Sequence, residues 1–164
     1  MSKGVLDLIG NTPIIKLRSV APDRGAEVWL KYEAGNPTGS YKDRVAMSVL
    51  SSAISRHDVS PGDTIVEYTG GSTGSSLAFV SAALGLKFVA VFSDAFSYSK
   101  QLTMEAFGAE VVVEESFGQG ITPELINRMK DRAMSLCDDK NAYYVDQFGS
   151  SDVTVGYEPM GHEI

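Results

Sequence analysis

A lysine at the start of a predicted helix is the first residue of this sequence that could carry out chemistry. Lys42 lies in NPTGSYKDR (residues 36–44), whose first half favours a turn and whose second half is typical of the start of a helix. Ser40 and Asp43 have the spacing of a capping box. A helix N-terminus disfavours a cation by about 0.3–1 kcal/mol, and desolvation also disfavours the ammonium form. A neutral lysine is a nucleophile and can form a Schiff base with an aldehyde cofactor such as pyridoxal phosphate. In isolation, however, Lys42 is better explained as a solvated surface lysine.

The second candidate is a loop rich in glycine and hydroxyl groups. Residues 67–76 read EYTGGSTGSS and lead from a predicted strand into a predicted helix. Such a turn exposes backbone N–H groups at a helix N-terminus, which makes a binding site for an anion such as a carboxylate. A strand-to-helix connection that binds no ligand can have the same composition, because glycines permit positive φ and hydroxyls cap helices.

Two other functions fit this loop. Residues 70–74 match G-x-S-x-G, the nucleophile elbow of serine hydrolases, with Ser72 as the nucleophile. Asp152 and His162 follow in the order that a catalytic triad of this type requires, but no HGGG-like oxyanion segment is present. The loop is also one glycine short of the dinucleotide-binding pattern G-x-G-x-x-G, and Asp94 follows Gly74 by 20 residues, where a ribose-binding acid would be expected. A serine hydrolase and a dinucleotide binder therefore remain as weaker alternatives. A P-loop is excluded because no lysine follows the glycines.

The elements that must position these loops form an alternating pattern. Short β-branched runs alternate with longer amphipathic stretches, which predicts an α/β fold with a three-layer parallel sheet and helices on both faces. Strands such as FVAVF and EVVVE are apolar on both faces, as such a sheet requires. We expect helices over residues 41–57, 75–84, 97–107 and 123–137, and strands over residues 13–17, 27–33, 64–68, 88–92, 110–114 and 142–145, the first two strands joined by a turn at Pro22-Asp23-Arg24-Gly25. In open α/β sheets ligands bind where strands end and helices begin, which is where the glycine-rich loop falls.

Composition and charge exclude several classes of function. The net charge of -7 argues against nucleic-acid binding, which would call for a basic surface. A single cysteine, Cys137, rules out an intramolecular disulfide framework and favours a reducing compartment. No stretch has the length of a membrane span or a signal peptide, so we expect a cytoplasmic protein with no membrane partner. His162 has no companion suited to metal binding, and no metal site is predicted.

Three motifs in a fixed order make the sequence similar to a known family. GNTPIIKL (residues 10–17), NPTGSYKDR (residues 36–44) and TGGSTG (residues 69–74) resemble the N-terminal half of the cysteine synthase and cystathionine β-synthase family. These are pyridoxal-phosphate enzymes of the tryptophan synthase β type, and SDAFS, FGAEVVV and DQF extend the likeness over essentially the whole chain. Motifs that are weak separately become specific in this order and spacing. The resemblance implies the small lobe of the two-lobed tryptophan synthase β-like fold, with pyridoxal 5'-phosphate as cofactor.

The resemblance also implies roles for particular residues. Lys42 matches the lysine that forms the internal aldimine with the cofactor and then acts as general base on the α-proton of the substrate. Ser72 lies in a loop that touches the cofactor. The residues that match the binding site for the substrate carboxylate are Thr69, Gly70, Gly71, Ser72, Thr73 and Gln147. The implied reaction is β-replacement or β-elimination on a small β-substituted amino acid, as in cysteine biosynthesis.

The sequence departs from the family at the substrate loop. Cysteine synthases usually read TSGNTG where this chain has TGGSTG, so Gly70 replaces a serine and Ser72 replaces an asparagine. The family's MPxxMS stretch is SDAFS here, which puts Asp94 near the mouth of the site, and the usual NPAN after QF is GSSD. The substrate therefore does not transfer with the resemblance, and a β-substituted amino acid other than O-acetylserine is as well supported.

The larger departure is length, since family members are about twice this size. We read the chain as a truncated or separately expressed N-terminal portion, with the loop for the cofactor phosphate in the missing half. Residues 1–35 would carry two strands that normally pair with the missing large lobe, residues 36–148 would form the small lobe, and residues 149–164 would begin the crossing to the large lobe. Two hypotheses follow: the aldimine-lysine half of an enzyme, as a homodimer or in association with its missing half, or a non-catalytic lobe or interaction module.

Overall fold

The α/β architecture is built on strands that alternate with helices along most of the chain. The computed structural model describes residues 4–19 and 24–164, so Pro22 and Asp23 of the predicted turn lie outside the described residues. In chain order the elements are a 3-10 turn (Val5–Leu8), β1 (Ile14–Lys16), β2 (Trp29–Lys31), a 3-10 turn (Glu33–Gly35), α1 (Lys42–Ser55), β3 (Thr64–Tyr68), α2 (Ser72–Leu84), β4 (Lys87–Ser93), α3 (Tyr98–Ala106), β5 (Glu110–Glu114), α4 (Pro123–Lys140), β6 (Tyr143–Tyr144), α5 (Ser151–Val155) and α6 (Glu158–Glu163).

The main sheet has four parallel strands in the order β5-β4-β3-β6. Because successive side chains of a strand point to opposite faces, the sheet builds two cores. One core packs α1, α2 and Met104 of α3 against Ile65, Phe88, Ala90 and Phe92. The other packs α4 through Leu125, Met129, Ala133 and Leu136 against Val66, Val89 and Val91. The predicted three-layer fold with helices on both faces is confirmed.

Several element limits differ from the prediction; α4, for example, ends at Lys140 rather than at residue 137, and β2 is shorter than predicted. Two further differences bear on the sheet and the site. The run EVVVE was expected to be buried on both faces, but Val113 is 42% exposed because β5 is the edge strand of the sheet. Helix α2 begins at Ser72, three residues before the predicted start, and Gly74 lies inside it. A Cβ on Gly74 would lie 2.4 Å from the Sδ of Met104 and 2.6 Å from the Cγ2 of Thr69, so this glycine serves close packing rather than a turn.

Strands β1 and β2 form a separate antiparallel pair, in which Ile14 faces Lys31 and Lys16 faces Trp29. The large apolar side chains of this region are exposed, among them Trp29 at 55%, together with Ile15, Val28 and Leu30. An exposed apolar patch of this kind commonly marks an interaction surface.

A buried arginine connects α1 to the preceding 3-10 turn and to α6. The guanidinium of Arg44 donates to the carboxylate of Glu33 at 2.8 Å and to that of Glu163 at 2.7 Å. These contacts with Arg44 hold the pKa of both carboxyl groups below the usual range, most strongly for Glu163. The C-terminal helix α6 is thereby held beside the start of α1, where Lys42 lies.

Candidate active site

Lys42 is the first residue of α1 and thus lies in the first turn of this helix, as the sequence predicted. Its Nζ donates a hydrogen bond to the Oη of Tyr157, 3.0 Å away, in the short segment between α5 and α6. The same Nζ lies 5.1 Å from the centroid of the Tyr41 ring and 5.7 Å from that of Tyr157. These two aromatic faces offset part of the cost of a cation at a helix N-terminus.

The neighbouring Asp43 connects the start of α1 to α2. Its carboxylate is fully buried and accepts hydrogen bonds from the N–H of Thr38 at 2.8 Å, from the Thr38 hydroxyl and from the Ser76 hydroxyl at 2.6 Å. The expected capping box with Ser40 is therefore wrong, because Asp43 binds Thr38 and Ser76; Ser40 instead accepts from the N–H of Lys42 at 3.2 Å. Since Ser76 is one turn beyond Ser72, the N-terminal turns of α1 and α2 lie side by side.

The glycine-rich loop is shaped by the buried hydroxyl of Thr69. This oxygen accepts hydrogen bonds from the N–H groups of Gly71 and Gly74, each at 3.1 Å. In the described part of the chain the N–H groups of Ser72 and Thr73, in the first turn of α2, have no hydrogen-bond partner. Such groups at a helix N-terminus are suited to binding a carboxylate.

Gln147 lies against this loop although it is distant in sequence. Its Oε1 accepts from the Thr73 hydroxyl at 2.8 Å, and its Nε2 donates to the carbonyl of Tyr68 at 2.9 Å. Its backbone N–H donates to Oε2 of Glu67, also at 2.9 Å. Sequence reasoning missed Glu67, whose only signal is an acidic residue in the otherwise apolar strand TIVEY; burial raises its pKa to about 7.

A cavity of about 340 Å³ opens at the carboxyl end of β3. It is lined by Tyr68, Thr69, Gly70, Gly71, Ser72, Thr73, Phe96, Ile121, Ile126, Met129, Gln147 and Phe148. One side is formed by the loop and Gln147 and the other by apolar side chains. The structure thus brings together all the residues predicted to bind the substrate carboxylate, whereas Lys42 is not among the described residues that line this cavity.

One wall of the cavity reflects the departure at Gly70. A Cβ on Gly70 would lie 2.9 Å from the ring of Phe96, which packs on Phe92 with the ring centroids 5.6 Å apart. The ring of Phe96 therefore occupies the space that a serine at position 70 would need.

The residues of the two rival motifs lie elsewhere. The carboxylate of Asp152 accepts from Arg56 at 2.9 Å, and His162 lines a separate cavity of about 760 Å³ between α1 and α6, so no triad forms around Ser72. Asp94 accepts from the N–H of Ser116 at 2.7 Å, which joins two loops of the sheet. Within residues 4–19 and 24–164, no cluster of acidic, histidine or cysteine side chains is arranged to hold a metal ion, and no helix is long and apolar enough to span a membrane.

Comparisons with known proteins place this geometry in context. The family model described as pyridoxal-phosphate dependent enzyme matches residues 5–164. Cysteine synthase B of Escherichia coli (strain K12) is 37% identical over 158 residues, which cover 95% of this chain and 50% of that protein. O-ureido-L-serine synthase of Streptomyces lavendulae is 45% identical over 109 residues, which cover 66% of this chain and 33% of that protein.

The solved structures give the same result for the fold. The crystal structure of an O-ureido-L-serine synthase superposes with a TM-score of 0.90 at 34% identity and covers 99% of this chain and 50% of that chain. The chain therefore spans about half the length of the first curated and solved relatives that it matches.

Proposed function

The chain belongs to the pyridoxal-phosphate dependent enzyme family, and from this premise we propose that it forms the lysine-bearing half of a site for β-replacement or β-elimination on a β-substituted amino acid. The observation that carries the proposal is the connection between the two helix starts. Asp43, next to Lys42, accepts from Ser76, one turn beyond Ser72. This bond supports a site in which the amine of Lys42 and the carboxylate-binding loop act on one substrate.

The side chains and backbone groups at these helix starts suit the cofactor and its amino-acid substrate. Lys42 offers a primary amine, and Ser72 offers a hydroxyl at the loop. The N–H groups of Ser72 and Thr73, which have no partner among the described residues, can hold a carboxylate. When bound, pyridoxal phosphate supplies an electron sink that stabilises negative charge at the α-carbon of the amino acid.

The residues of this chain would then divide the work between two ends of the substrate. The amine of Lys42 would remove the α-proton as general base, after leaving the hydroxyl of Tyr157 that holds it at 3.0 Å. The N–H groups of Ser72 and Thr73 would hold the carboxylate, so that the α-proton is directed toward the base. The apolar side chains of Phe96 and Phe148 would exclude water from the reacting groups.

The substrate class follows from the relatives' names and from the cavity. Cysteine synthase and O-ureido-L-serine synthase are both named for products that are β-substituted amino acids, and β-replacement converts one amino acid of this class into another. We propose a substrate of this class for the protein to which this chain corresponds. Because Phe96 stands where a serine at position 70 would extend, the β-substituent would meet an aromatic wall rather than a hydroxyl.

The domain assignment is part of the same proposal. The relatives are about twice as long, and the exposed apolar residues of β1 and β2 provide a surface for the additional chain. Residues 1–35 would pair with the large lobe, residues 36–148 would form the small lobe, and residues 149–164 would lead into the large lobe. A homodimer is a second way to cover the same apolar surface.

One observation favours a second candidate, a non-catalytic lobe or interaction module. The Nζ of Lys42 is bound to Tyr157, and Lys42 is not among the described residues that line the cavity next to the loop. A chain that kept this arrangement would retain the fold without placing its amine at the substrate.

Reductive labelling separates the two candidates. The chain is incubated with pyridoxal phosphate, reduced with borohydride and mapped by peptide mass spectrometry, beside the variants Lys42→Ala and Lys87→Ala. Lys87 is an exposed lysine at the start of β4, so it controls for surface labelling. We expect label on Lys42 that is lost only in Lys42→Ala. Equal labelling of Lys42 and surface lysines would contradict a cofactor site in this chain and favour the non-catalytic lobe.

A further inference from the structure

Glu67 is a buried acid that the proposed reaction does not use. It is the next-to-last residue of β3, two residues before Thr69, and its side chain is fully buried. Oε1 accepts from the N–H of Tyr68 at 3.0 Å and Oε2 from the N–H of Gln147 at 2.9 Å. Both of these residues line the cavity, so the carboxylate of Glu67 lies directly behind its polar wall.

The bond from Glu67 helps to fix the segment that follows β6. Strand β6 ends at Tyr144, and Asp146 has a φ of 52°, a conformation that is uncommon for a residue other than glycine. Gln147 then reaches the loop through its bond to the Thr73 hydroxyl at 2.8 Å. A continuous hydrogen-bonded path therefore runs from Glu67 through Gln147 to the first turn of α2.

The groups that face Glu67 include no cation among the described residues. They are the carboxylate of Asp146 after β6, the phenols of Tyr68 and Tyr144, and the thiol of Cys137 from α4. Burial raises the pKa of both phenols, and it raises that of the thiol to about 11, so these three groups are neutral near pH 7. A negative charge on Glu67 is thus held by N–H groups alone, and a second negative charge nearby would oppose it.

We propose that Glu67 is a positioning residue for the carboxylate end of the site and that binding of an α-carboxylate to the loop shifts Glu67 toward its protonated form, with the proton taken from solvent. The inference rests on the proposed function, since it requires the loop to bind a carboxylate. A ligand carboxylate at Ser72 and Thr73 and the carboxylate of Glu67 would lie on opposite sides of Gln147. Like charges that share Gln147 as a common neighbour disfavour double ionisation, and the proton goes to Glu67 because the ligand receives the N–H groups of α2.

The direction of the pH dependence follows from this coupling. A bound carboxylate raises the proton affinity of Glu67, so the ligand binds most tightly below about pH 7 and more weakly as the pH rises through the titration of Glu67. A coupling of one pH unit corresponds to about tenfold in the dissociation constant. At a pH midway between the pKa values of Glu67 without and with ligand, the same coupling predicts uptake of about half a proton for each ligand that binds.

The test uses the whole 164-residue chain, the variant Glu67→Gln and the control Glu124→Gln, which removes an exposed carboxylate from the first turn of α4. The backbone N–H signals of Tyr68 and Gln147 are followed by NMR from pH 5 to 9 without ligand. Calorimetry with L-serine, and with propionate as a probe that lacks an amine, is carried out in two buffers of different ionisation enthalpy to count protons.

We expect both N–H signals to titrate together near pH 7 in the wild type and in Glu124→Gln, and binding to weaken about tenfold toward alkaline pH with measurable proton uptake. Glu67→Gln should abolish the titration and the uptake. N–H signals that stay constant in the wild type would overturn the positioning role, and this readout needs no variant. Binding without proton uptake would overturn the coupling but leave the proposed carboxylate site intact, whereas failure of both probes to bind the wild type would overturn the site itself.

Discussion

Replacing Gly74 by alanine tests how tightly the site loop is packed. An added Cβ would lie 2.4 Å from the Sδ of Met104 and 2.6 Å from the Cγ2 of Thr69, whereas such atoms normally stay about 3.5–4.0 Å apart. Met104 is fully buried, and the Thr69 hydroxyl is bound to the N–H groups of Gly71 and Gly74. Neither neighbour can therefore move by about 1 Å without disturbing the core or the loop.

The expected cost combines two opposing effects. Overpacking of a well-filled core costs about 1–3 kcal/mol, and two close contacts place Gly74→Ala at the upper end of this range. Alanine in a helix gains about 1 kcal/mol over glycine. The net loss of unfolding free energy is therefore about 2 kcal/mol, which lowers the melting temperature of a chain of this size by about 4–8 °C.

The assay is urea and thermal unfolding followed by circular dichroism, with Gly161→Ala as the matched control. Gly161 also lies in a helix, α6, but an added Cβ would meet nothing within 4 Å, so this variant should match or slightly exceed the wild type in stability. Equal stability of Gly74→Ala and Gly161→Ala would refute the packing of Gly74. A double variant with Met104→Ala should lose less stability than the sum of the single changes, because the new methyl group fills part of the space left by Met104.

Three further predictions concern groups around the site. Asp43→Ala should lower the free energy of unfolding by about 2–4 kcal/mol, measured by urea denaturation, because it removes the acceptor of the Thr38 N–H and of the Thr38 and Ser76 hydroxyls, and these two hydroxyls, 3.3 Å apart, keep only the contact with each other; a loss below about 0.5 kcal/mol would contradict the described connection. The carboxyl pKa of Glu163 is lowered in the folded state, so the ionised carboxylate stabilises the protein above about pH 4.5, and this stabilisation is lost as the pH falls further. In thermal melts from pH 3 to 7, the melting temperature of Glu163→Gln should therefore fall less toward acid pH than that of the wild type. Cys137, with a pKa of about 11, should react with iodoacetamide at pH 8 at least about tenfold more slowly in the folded chain than in urea, and equal rates would show that its thiol is not protected.

The periodicity of the sequence was sufficient to predict the sheet. Strands β3 and β5 have the predicted limits, and α4 starts at the predicted Pro123, where Thr122 accepts from the N–H of Leu125 at 3.2 Å. These features depend on local patterns: alternating runs of apolar residues, a capping hydroxyl and a proline in the first turn.

Features that depend on distant contacts were predicted less well. Gly74 reads as a loop residue in the sequence, but it lies in α2, where its missing side chain leaves room for Met104 on another helix. Asp43 fits a capping box by spacing, yet one of its partners, Ser76, is 33 residues away. Gln147 was found through the family resemblance, since no pattern in the sequence connects it with Thr73. Burial of Glu67 depends in the same way on contacts that a single sequence does not reveal.

The two ends of the proposed site meet on one helix. Thr73 binds Gln147 and Ser76 binds Asp43, and residues three apart on a helix lie on neighbouring turns of the same side. The first two turns of α2 therefore set the spacing between the carboxylate end and the segment that carries the proposed base. The loop residues Gly70 and Ser72, where this chain departs from cysteine synthases, are not part of either bond. Under the proposed function, changes at these two positions would alter which β-substituent is accepted, while Thr73 and Ser76 would keep the spacing between the carboxylate end and the proposed base.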